Sequence, residues 1–100
     1  MKYTKKPVTI DAIEFKGGFE PGLTEIRDWV RTMGDQMSDH FIVEMGPNTG
    51  LIPSKVKLKV KTLEGTSYDV PEGYFIIRGI KGEYYPCESK IFHDSYDKTL

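Results

Sequence analysis

One cysteine, two histidines and a scatter of acids are the groups in this 100-residue chain that could make or break bonds. Cys87 and His93 have the types of a nucleophile and its base. Their surroundings point elsewhere: a cysteine beside Pro86 at a strand end serves as a small buried hydrophobe, and His93 falls on an exposed terminal turn. His40 has no companion at metal-ligand spacing, so no metal site is assigned. Acid–base work needs two carboxylates in separated environments. Asp69, Glu72 and Glu83 fall instead on loops and turns as solvated charges. Gly79-Ile80-Lys81-Gly82 lacks the strand-to-helix setting of a phosphate loop. The reading assigns no catalytic residue, no metal and no cofactor.

Two groups of residues are better suited to binding. In Lys55-Val56-Lys57-Leu58-Lys59-Val60-Lys61-Thr62 the lysines alternate with apolar residues, so they project from one face of a strand at about 6.6 Å intervals, near the phosphate spacing of an extended nucleic-acid strand. Such a row, with Lys57 and Lys59 at its centre, could hold an anion; the same pattern also keeps exposed strands from aggregating. The second group is Arg78, Lys81, Tyr84 and Tyr85, where a guanidinium, an ammonium and aromatic faces make a workable binder of a base and its phosphate.

The elements that must carry these side chains follow from periodicity. Val8, Ile10 and Ala12 alternate as in a strand, and Ile13 and Phe15 take the opposite parity, which calls for a bulge or for cover on both faces near the strand's end. Gly17-Gly18 ends it. Leu23, Ile26, Trp29, Val30 and Met33 line one side of a helix, Gly34 supplies its C′ position, and Trp29 is read as core. His40 to Met45 reads as a strand ended by the turn formers Gly46 to Gly50. The lysine strand follows, then a hairpin at Leu63-Glu64-Gly65-Thr66 and a return strand at Ser67 to Val70. Pro71-Glu72-Gly73 turns the chain again. Tyr74 to Ile77 is apolar on both parities, as in a central strand covered on both sides. A turn at Gly79 to Gly82 leads to Glu83-Tyr84-Tyr85, where Pro86 stops the ladder. In the tail, Ser89 could cap a helical turn that puts Phe92 and Tyr96 on one side.

This order predicts an α+β fold: a mostly antiparallel, twisted sheet or half-barrel of 5–6 short strands, one amphipathic helix packed on it, and a short C-terminal helical turn. Length predicts a single domain over residues 1–100. Fourteen Lys+Arg against fifteen Asp+Glu leave a net charge of −1. The molecule as a whole therefore offers no general attraction for nucleic acid or an acidic membrane. The lone cysteine excludes an internal disulfide and suits a reducing compartment. The N-terminus does not read as a signal peptide, and no apolar run is long enough to span a bilayer.

The Met-Lys-Tyr-x-Lys-Lys-Pro-Val opening, the run Lys61 to Thr66, and above all Tyr74 to Cys87 followed by Ile91-Phe92 and Tyr96 resemble a family of short bacteriophage and prophage proteins. The likeness covers nearly the whole chain. That family carries Pro-Gly-Asp-Tyr where this chain has Pro71-Glu72-Gly73-Tyr74, so a role resting on that aspartate does not carry over. The resemblance implies a viral accessory protein in the host bacterial cytoplasm, acting in host takeover or anti-defence, and implies no reaction. The expected activity is non-enzymatic capture of a host protein or a small anionic, nucleotide-like ligand; a free sheet edge also favours a homo-oligomer. The alternatives are a virion structural or assembly component and a small hydrolase or transferase using Glu83, His93 or Cys87.

Overall fold

The computed structural model describes residues 1–3, 9–45, 56–62 and 64–97. The expected Val8 position, the turn at 46–50, Lys55 and Leu63 lie outside them. The elements run β1 (Asp11–Glu14), α1 (Thr24–Thr32), α2 (Met37–His40), β2 (Phe41–Met45), β3 (Val56–Lys61), β4 (Ser67–Val70), β5 (Phe75–Arg78), β6 (Tyr84–Cys87) and α3 (Ser89–Ser95). The chain is α+β with every strand pair antiparallel, as expected. The strands form two open three-stranded sheets, β1-β5-β6 and β2-β3-β4, in place of one sheet or a half-barrel. The second sheet is a local meander. The first is not, because β1 pairs with β5 across most of the chain.

β3 alternates as its lysines require. Leu58 and Val60 are buried with Phe41 and Val70, while Lys57 and Lys61 face water. β5 is central, and Ile76 and Ile77, which point to opposite faces, are both buried. One face of its sheet carries Ile13, Ile76 and Tyr84 into the core; the other carries Ala12, Ile77 and Tyr85. The parity switch near β1 is thus resolved by cover on both faces. On the second face Phe75 stacks on Phe92 of α3 with ring centres 4.1 Å apart. β6 lies against β3 and β4, which brings the two sheets together.

α1 buries Ile26 and Val30, with Trp29 half-buried beside them. A π-type turn over Gly18–Leu23 precedes it where a plain connection was expected, and Thr24 Oγ1 donates to the Pro21 carbonyl. The helix ends as Gly34 predicts: the amides of Gly34 and Asp35 donate to the carbonyls of Arg31 and Val30, and Gly34 takes φ 82°. This Schellman closure needs a residue free of a β-carbon at C′. Three local expectations shift. The His40 position closes the short α2 and does not open β2. Pro86 sits within β6, tolerated because that strand is an edge. Ser89 is the first helical residue of α3, with Glu88 before it and no side-chain cap.

Candidate functional site

The Schellman closure fixes where Asp35 goes. Asp35 leaves α1 at the seam between the sheets, and its Oδ2 accepts a 2.7 Å hydrogen bond from the Tyr84 hydroxyl. Arg78 Nε lies 3.5 Å from the same oxygen, and His40 Nε2 lies 3.9 Å from Oδ1. Tyr84 is only 2% exposed. Its ring is packed by Trp29 edge-on at 5.7 Å, His40 at 4.9 Å and Phe41 at 5.3 Å. One tyrosine on β6 thus ties together α1, α2, β2 and β5. The Tyr84 bond holds the Asp35 carboxyl below its ordinary range; burial opposes this, and His40 and Arg78 reinforce it. Burial, then the bond to Asp35, pushes Tyr84 up to about 12.

Beside this cluster opens a cleft of ≈ 590 Å³ between the two hairpins, walled by α2 and the end of β3. His40, Lys61, Lys81, Asp39, Glu83 and Tyr84 are among its lining. The hairpins share one construction. The Thr62 amide donates to Thr66 and Gly65 back to Thr62, just as the Gly79 amide donates to Glu83 and Gly82 back to Gly79. Gly65 and Gly82 both sit at positive φ, as a three-residue loop with a glycine bulge demands. The Lys61 ammonium donates to the Ser38 carbonyl at 3.0 Å, which carries it toward α2 and His40. Glu83 folds its carboxylate over Gly79, where a β-carbon would otherwise stand, and its Oε2 is closed to solvent with no hydrogen-bond partner among the described residues.

The residues singled out for binding are divided among three places. Lys81 is on the cleft. Arg78 is drawn to Asp35, and Tyr84 is buried in the cleft wall, so its ring has no open face for a base. Tyr85, by strand alternation, is on the opposite face, where burial and then the neighbouring Tyr96 push it up to about 12. Lys57 and Lys59 stand on the wet face of β3 among carboxylates: Glu44 is the register partner of Lys57 and lies 3.5 Å from the Lys59 ammonium, and Asp69 is opposite Lys59. The lysine row is therefore a mixed-charge surface at Lys57 and Lys59. Asp35, His40 and Trp29 were not read from the sequence as one group with Tyr84. Gly34 was the available signal, since a C′ glycine puts the next residue at the helix end.

Cys87 and His93 both flank Phe75, the first as its register partner and the second edge-on at 5.2 Å. The thiol donates to the Glu88 carbonyl at 3.6 Å. Burial, then Glu88, pushes the thiol up, which suppresses the thiolate that nucleophilic attack requires. His93 is exposed. Among the described residues no three His, Cys, Asp or Glu side chains are grouped to hold a metal ion, and no helix is long and apolar enough to cross a membrane. Comparison with protein-family models, with curated proteins and with solved structures returns no match.

Proposed function

We propose that this chain is a non-catalytic binding protein that captures a small anionic ligand in the cleft between its hairpins, in the setting its resemblance implies, a phage accessory protein in the bacterial cytoplasm. The observation that carries the reading is the cleft itself. Its ≈ 590 Å³ lies within the range of small-molecule sites, about 300–1,000 Å³. Lys61, Lys81 and His40 bring three basic side chains to it. Two acids, Asp39 and Glu83, line it as well, and Glu83 has one carboxylate oxygen turned from solvent against Gly79. With a net charge of −1, the molecule as a whole does not attract anions, so capture depends on such a local cluster of basic groups.

Calorimetric titration with inorganic sulfate and with adenosine 5′-monophosphate tests the reading at low salt. Lys61→Gln combined with Lys81→Gln should weaken binding at least about five-fold, with the melting temperature nearly unchanged because both side chains are exposed. Lys57→Gln with Lys59→Gln should leave binding within about two-fold, since Glu44 and Asp69 already neutralise that face. Binding that ignores the Lys61/Lys81 pair, or that falls with the Lys57/Lys59 pair instead, moves the site away from the cleft.

A further inference from the structure

His40 belongs to two environments at once. Its ring is part of the cleft wall, and its Nε2 faces Asp35 at 3.9 Å on the other side. Imidazole is the side chain whose charge ordinarily changes between about pH 5 and pH 8. The groups around it come from several elements: Asp35 from the end of α1, shared with Arg78 of β5, the Tyr84 ring from β6, Lys61 from β3, Lys81 and Glu83 from the β5–β6 turn, and Asp39 from α2 itself. Carboxylate and ammonium side chains ordinarily do not change charge in that window. His40 is thus the cleft's one variable charge among the described residues.

We infer that His40 is a proton-operated gate on anion capture: protonation adds a third cation to Lys61 and Lys81 while Asp35 supplies its resident counter-ion. The inference rests on the capture reading and adds regulation to it. With His40 neutral, an entering anion meets two lysines balanced by Asp39 and Glu83. With His40 charged, the balance in the cleft shifts by one unit, and Asp35 offsets the repulsion among the cations. Linkage makes the effect reciprocal, so a bound anion must hold the proton on His40 by the same factor with which the proton holds the anion.

The probe is inorganic sulfate, whose own charge does not change over the range. Its affinity should rise on the order of five-fold from about pH 8 to about pH 5.5, and saturating sulfate should raise the titration midpoint of His40 by about 0.7 pH unit, the same factor read from the proton's side. The chain has two histidines, and the second is a built-in control. His93 is an exposed residue of α3 whose ring meets Phe75 edge-on, on the far face of the first sheet, so its imidazole NMR signals should not respond to sulfate. His40→Gln should bind with the wild-type affinity of pH 8 at every pH, and His93→Gln should keep the full pH dependence. The NMR titration of the wild type reads the same linkage without any variant. Sulfate that binds through Lys61 and Lys81 with a flat pH profile and an unmoved His40 overturns the gate and leaves the capture reading standing. Absence of sulfate binding at every pH overturns both.

Discussion

Tyr84 and Asp35 stand 49 residues apart in sequence and share one hydrogen bond, so each can be tested through the other. Tyr84→Phe keeps the ring among Trp29, His40 and Phe41 and removes only the donor. A hydrogen bond to a charged group is worth about 1.5–3 kcal/mol, and the partial exposure of Asp35 puts the expected loss near the lower end. The pH dependence follows from the direction of the shift. The Asp35 carboxyl is lower in the folded protein than its ordinary value of about 3.9, so its contribution is complete above that value and disappears as pH falls through the folded one. Urea unfolding of wild type and Tyr84→Phe should therefore differ at neutral pH and converge in acid as pH falls through the folded value. A gap of unchanged size in acid would show that the hydroxyl acts through packing alone. In alkali the sign reverses. Tyr84 and Tyr85 are pushed up to about 12, so folding is favoured by their neutral forms below about pH 10 and loses that support as pH climbs toward 12. Tyrosinate absorbance should show these two rings ionising late and together with unfolding. That Tyr84 and Tyr85 lie on opposite faces follows from strand alternation, which the grouping of both rings in one binder overlooked. That Asp35 would meet Tyr84 was not, because nothing local specifies which strand crosses a helix's end.

Among the elements, two glycines give opposite predictions for the same substitution. A β-carbon on Gly22 would collide with the Gly17 carbonyl, which is backbone, and with the Phe15 ring at 3.0 Å. Gly22→Ala should cost about 3 kcal/mol, because the turn leading into α1 has no side chain it can move aside. A β-carbon on Gly79 would meet only the Glu83 carboxylate, the end of a flexible side chain. Gly79→Ala should thus be tolerated within about 1 kcal/mol, with Glu83 swung away; thermal melts of the two variants decide the contrast. α3 is the third case. Its hold on the first sheet is the Phe75–Phe92 stack, and Phe92→Ala should cost about 2–3 kcal/mol and speed labelling of Cys87 by a thiol reagent, since Cys87 stands beside Phe75 on the face α3 covers. Labelling at an unchanged rate would mean that α3 stays docked without the ring. The lysine alternation of β3, the apolar stripe of α1 with Gly34 and the glycine turns were all readable, because each is written in consecutive residues. α2 was not: four residues are too few for a helical period to register.

For the molecule as a whole, the difference between one sheet and two was hidden from the sequence because strand patterns state which face is dry and not which strand is the neighbour. The hairpins β3–β4 and β5–β6 could be anticipated from their turns, whereas the pairing of β1 with β5 depends on the entire chain. The cleft was missed for the same reason, being made from two turns distant in sequence and the end of α2. That pairing has a consequence for how the protein comes into being. β1 precedes its partner by most of the described chain, since Ala12 must wait for Ile77 and the end of α1 must wait for Tyr84. During synthesis β2, β3 and β4 can therefore pair as soon as each exists, whereas β1 stays unpaired until β5 has been made.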